Sequence, residues 1–75
     1  MNVYQLRPIG NYSHGLALVA APTFAHAKSE YISSGTYGEM YYYGEFEFDE
    51  KFSDPIEGLE WHGGQRIITE RIYIE

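Results

Sequence analysis

Only one segment of this chain repeats its apolar residues at helical spacing; every other patterned stretch either alternates or is a short continuous apolar run. Phe24, Ala27, Tyr31 and Ile32 fall at i, i+3, i+7 and i+8, which makes one stripe along a helix, with Lys28, Ser29 and Glu30 turned to water. Thr23 precedes the stripe as an N-cap whose hydroxyl can accept an amide hydrogen of the first turn. Gly35 follows as a stop in the left-handed conformation that a residue with a Cβ resists. A helix of roughly ten residues shields one side of a small sheet and no more. Whatever sheet the other segments build therefore keeps one face without cover from its own helix.

Four segments supply that sheet. Val3 to Ile9 alternates, with Tyr4 and Leu6 on one side and Val3, Gln5 and Arg7 on the other, and Pro8 ends it. A glycine-bounded turn over residues 10–15 leads to Leu16–Ala21, a continuous apolar run short enough to be a strand covered on both faces and paired with the first as a hairpin. Glu39 to Asp49 alternates longest: Met40, Tyr42, Phe46 and Phe48 point one way and Glu39, Tyr41, Tyr43, Glu45 and Glu47 the other. Gly44 marks a bulge or bend there. After an irregular connection over Phe52–Leu59 and a turn at Gly63-Gly64, a last strand runs from Arg66 to Ile74. Ile68, Ile72 and Ile74 share one face of it, and Ile67, Thr69, Arg71 and Tyr73 the other. Glu70 falls on the apolar side, so either a bulge shifts the register or its carboxylate sits at the sheet edge. The order β-β-α-β-β predicts an α+β fold, a small antiparallel sheet of about four strands with one helix packed on one face, in a single domain over residues 1–75.

The chain has no cysteine in 75 residues, so neither disulfides nor thiolate metal sites support so small a core, and self-association is expected. Leu16–Ala21 followed by Ala25-His26-Ala27 imitates a signal peptide, but Arg7 is the one basic side chain before it and Pro22 interrupts the apolar run. The expectation is an unprocessed, cytoplasmic protein with no membrane segment.

Catalytic chemistry finds little footing. His14, His26 and His62 share no spacing that would put two of them on one face. There is no Gly-x-Ser-x-Gly elbow, and Gly35-Thr36-Tyr37-Gly38 lacks the Lys-Ser/Thr of a phosphate loop. Glu45 and Glu47 stand about 7 Å apart along a strand, yet on a face expected to be solvated, where nothing activates them. The reading is a non-enzyme with no cofactor and no metal.

Charge layout is the feature that does point to a function. Residues 39–60 hold eight acids against Lys51, a net of −7, while the remainder of the chain nets +1. Such a surface repels phosphate backbones, so direct nucleic-acid binding is not expected; it attracts basic surfaces instead. Alternate carboxylates along an extended strand also approximate the spacing of successive phosphates, roughly 7 Å. Tyrosine adds a large apolar body with a polar tip, the composition of contact surfaces. The candidate protein-binding residues are therefore Glu39, Tyr41, Tyr43, Glu45, Glu47 and Tyr73.

Leu16-Ala17-Leu18-Val19-Ala20-Ala21 followed by Thr23 and Ala27, together with the ending Ile67 to Ile74, resembles a pattern in short uncharacterised proteins of bacteriophages and mobile elements of gut-type bacteria. The resemblance implies a setting, a small cytoplasmic accessory protein, and assigns no residue a role. Two functions follow as expectations. One is an interaction protein, an inhibitor of phage type, that docks its acidic, tyrosine-bearing strand face on a basic surface of a nucleic-acid-handling or defence protein. The alternative is a homo-oligomer that holds a small anionic ligand, a nucleotide or metabolite, through Arg66 and Arg71, whose guanidinium forks suit phosphates. A structural subunit of a larger particle is the third.

Overall fold

The computed structural model describes residues 1–10, 13–36 and 47–74. In chain order they form β1 (Asn2–Leu6), β2 (Pro8–Ile9), β3 (Ser13–Ala21), α1 (Phe24–Ser34), β4 (Glu47–Phe48), a 3-10 turn (Glu50–Phe52) and β5 (Ile67–Ile74). Among the described residues the architecture is α+β, with α1 packed on a small antiparallel sheet. The predicted first strand is present but interrupted at Arg7. Proline lacks an amide donor, which breaks the ladder locally; Pro8 nevertheless opens β2 rather than closing the strand, because the next residue, Ile9, pairs again with His14.

The nine-residue β3 is the spine. Along one edge it pairs with β1, from Asn2↔Ala21 to Leu6↔Ala17, and with β2. Along the other it pairs with β5, from Ser13↔Ile74 to Leu18↔Thr69. Outside β1 and β2 lie β4, in register Pro8↔Phe48 and Ile9↔Glu47, and the 56–61 connection. There Ile56 N donates to Val3 O at 2.9 Å, and Trp61 and Met1 exchange backbone hydrogen bonds of 2.7 and 2.8 Å. The acidic part of the chain thus borders one edge of the sheet and β5 the other.

Period-two alternation sends Tyr4 and Leu6 of β1 and Ala17, Val19 and Ala21 of β3 to one face, where Ala27 and Tyr31 of α1 meet them; all seven are buried. Alanines at 17, 21 and 27 let the helix approach closely, and the large rings fill the flanks: Tyr31 meets Phe48 edge-on at 6.2 Å, and Tyr4 lies 5.9 Å from Phe24. The predicted stripe holds at Ala27 and Tyr31, but Ile32 is 41% exposed, since it lies about 100° round the helix from buried Tyr31, at the margin of the stripe. The N-cap is as expected, His26 N donating to Thr23 Oγ1 at 3.1 Å.

Gly35 ends the helix for a different reason than expected. Its backbone is extended, with φ −80° and ψ 155°, so handedness does not require glycine. Space does: a Cβ there would lie 2.6 Å from two carbons of the Tyr31 ring.

Both readings of Glu70 apply. A bulge between Leu18 and Val19, which pairs with Ile67, leaves Ile68 as the extra residue of β5. Ile67 therefore joins Ile72 against the core, correcting its assignment to the far side. Glu70 stays on the helix side at the sheet edge, where its carboxylate accepts from Thr36 N at 3.0 Å and Thr36 Oγ1 at 2.6 Å. The Leu16–Ala21 run is covered on the helix side; opposite it Leu16 and Leu18 are only half-buried, whereas Ala20 and its partner Val3 are buried, so that face is covered at its Val3–Ala20 end and open toward Leu16, His14 and Ile9. Among the described residues no helix is long and apolar enough to cross a membrane.

Candidate functional site

Strand register assembles a row of side chains that are far apart in sequence. Tyr73 of β5 pairs with His14 of β3, His14 with Ile9 of β2, and Ile9 with Glu47 of β4. Paired residues on antiparallel strands share a face. Ile72 and Phe48 pack on the core, so their neighbours Tyr73 and Glu47 belong to the opposite, open face, and the two residues between them follow. All four are exposed, Ile9 at 54% and Tyr73 at 47%. The His14 and Tyr73 rings stack at 5.0 Å with 18° between their planes, side by side across the β3–β5 pair. The row thus reads carboxylate, isobutyl-sized apolar group, imidazole, phenol, from one sheet edge to the other.

Beside this row lies an open depression of about 220 Å³, lined by Leu16 and Leu18 and bordered by Gln5, Thr69, Glu70 and Arg71. Arg71 pairs with Leu16, one strand repeat along from Tyr73. Arg7 lies over the Phe52 ring, its guanidinium carbon 4.8 Å from the centroid, a cation–π contact that ties the 3-10 turn to the sheet.

Of the candidate residues proposed from sequence, Glu47 and Tyr73 fall at the two ends of the row. Glu39, Tyr41, Tyr43 and Glu45 lie outside the described residues, as does the predicted bend at Gly44. Arg66 and Arg71 stand five residues apart on the β5 segment, roughly 16 Å of extended chain; the Arg66 guanidinium is directed at Met1 Sδ, and Arg71 lines the depression. Within the acidic segment, Asp49 accepts from Lys51 N at 3.0 Å to cap the 3-10 turn, and Glu50 pairs with Lys28 at 3.1 Å. That pair is solvent-exposed and worth little, about 0–1 kcal/mol. Asp54, Glu57 and Glu60 are exposed.

Ile9 and His14 were missed from sequence. The signal was present: Gln5, Arg7 and Ile9 share one parity, and His14 shares that of Leu16 and Leu18, but reading Pro8 as a stop cut Ile9 from its strand. Among the described residues no group of three or more His, Cys, Asp or Glu side chains is placed to hold a metal ion. Comparison of the chain with protein-family models, with curated proteins and with solved structures finds no match.

Proposed function

We propose that this chain is a non-enzymatic interaction protein that docks the acidic edge of its sheet on a basic surface of a larger protein. In the phage-type setting its sequence pattern suggests, that partner is a nucleic-acid-handling or defence protein, which the docked module inhibits. One observation carries the reading. The described segment 47–60 has six acids against Lys51, it borders β1 and β2, and only Asp49 and Glu50 of those acids are engaged in the cap and ion pair above. Exposed carboxylates gathered on one border raise the association rate with a basic partner, and the effect weakens as salt shortens the Debye length.

The test is capture from bacterial lysate by the immobilised chain at about 50 mM and about 300 mM salt, beside an Asp54→Lys/Glu57→Lys/Glu60→Lys variant. A partner held at low salt, released at high salt and absent from the variant is the expected result. Identical captures by both proteins contradict the reading.

A second reading keeps the depression as a site for a small anionic ligand, favoured by its apolar floor and by Arg71 in its lining, where the neighbouring Glu70 carboxylate is taken up by Thr36. A rise in melting temperature with nucleotides, lost in Arg71→Ala, distinguishes it.

A further inference from the structure

The open face of the sheet has a property that the acidic edge does not use: it is complementary to itself. At one end of the exposed row stands Glu47, at the other Tyr73, with Arg71 two residues further along the same strand, about 7 Å away. Ile9, Leu16 and Leu18 lie between these edges, apolar and incompletely covered. An acid on one edge and a base on the other, equidistant from an apolar midline, is the arrangement that a two-fold axis along the strands converts into two identical contacts.

We infer that this face is the interface of a symmetric dimer, in which a second copy of the chain lays its own open face on the first. An axis running between β2 and β3 brings Ile9 of each copy over His14 of the other. It also brings Tyr73 of each copy over Glu47 of the other, so that the phenol hydroxyl donates to the carboxylate. Arg71 reaches the same carboxylate with its longer side chain. Sheets packed face to face lie about 10 Å apart with strands within about 30°, room for this row of side chains to interdigitate. A partner of a different kind has no need of both signs in mirrored positions, whereas a second copy does. The surface is distinct from the acidic border at Asp54, Glu57 and Glu60, which stays outside the dimer.

Sedimentation equilibrium of the purified full chain tests the inference. The wild type should show twice the mass of one chain at micromolar concentration. Ile9→Asp should be a folded monomer by circular dichroism, and Glu47→Arg and Arg71→Glu should each weaken association about tenfold or more, because each places like charges opposite one another. The double variant Glu47→Arg/Arg71→Glu should regain most of the lost affinity, a rescue that only a direct contact between these two positions gives. A folded wild type that stays monomeric at every concentration overturns the inference, as does a dimer indifferent to Ile9→Asp and to the single charge reversals. Neither outcome touches the acidic-edge reading, which is tested at other residues.

Discussion

Gly35 shows how one position is set by its neighbour rather than by its own dihedral angles. Alanine tolerates φ −80°, and replacing glycine would lower the entropy of the unfolded chain, a gain of about 0.4–1 kcal/mol. Against this, the new methyl would meet the Tyr31 ring at 2.6 Å, and that ring is fully buried with Phe48 against its edge. Overpacking costs about 1–3 kcal/mol, so the clash wins. Gly35→Ala is expected to lower the urea midpoint by the equivalent of about 1–2 kcal/mol; an unchanged or raised midpoint would show that the ring yields. The stop was legible in the sequence as a glycine after a helical stripe, but its cause was not, because only tertiary contact reveals which side chain occupies the space.

Elements follow the sequence pattern closely where the pattern is local. The helix begins where a hydroxyl can cap it, and Thr23→Ala is expected to cost about 1 kcal/mol, read in faster amide exchange of the first turn; equal exchange would mean that the Thr23 side chain does not hold the helix start. Alternation also assigned the faces of β1 correctly, whereas the continuous apolar run of β3 carried no such signal, and its two sides are told apart only by burial. Alternation failed on β5, since a bulge depends on which strand lies alongside: Ile67 reaches the core only because β3 pairs Val19 with it and skips Ile68. Glu70 illustrates the same dependence. An acid on an apolar face is a conflict in one dimension and a bond to Thr36 in three.

At the scale of the molecule, a sheet side away from α1 was foreseeable, whereas neither its content nor the burial of Val3 and Ala20 at one end of it was. The row from Glu47 to Tyr73 draws on four strands, and its members come together only once three registers are fixed. Among the described residues there is no disulfide and α1 is the helix that packs on the sheet, so a small sheet of this kind gains stability by covering what is open of its second side. The acidic edge and the open face then divide two tasks between them, one addressed to a basic protein and the other to a second copy.

The most direct measurement is an isotope-filtered NOE experiment on a mixture of labelled and unlabelled chains. Cross-peaks from the Ile9 methyls of one copy to the His14 ring protons of another are predicted. Spectra from a folded, concentrated sample in which Ile9 shows contacts only within its own chain would contradict the claim that this face is built to be covered.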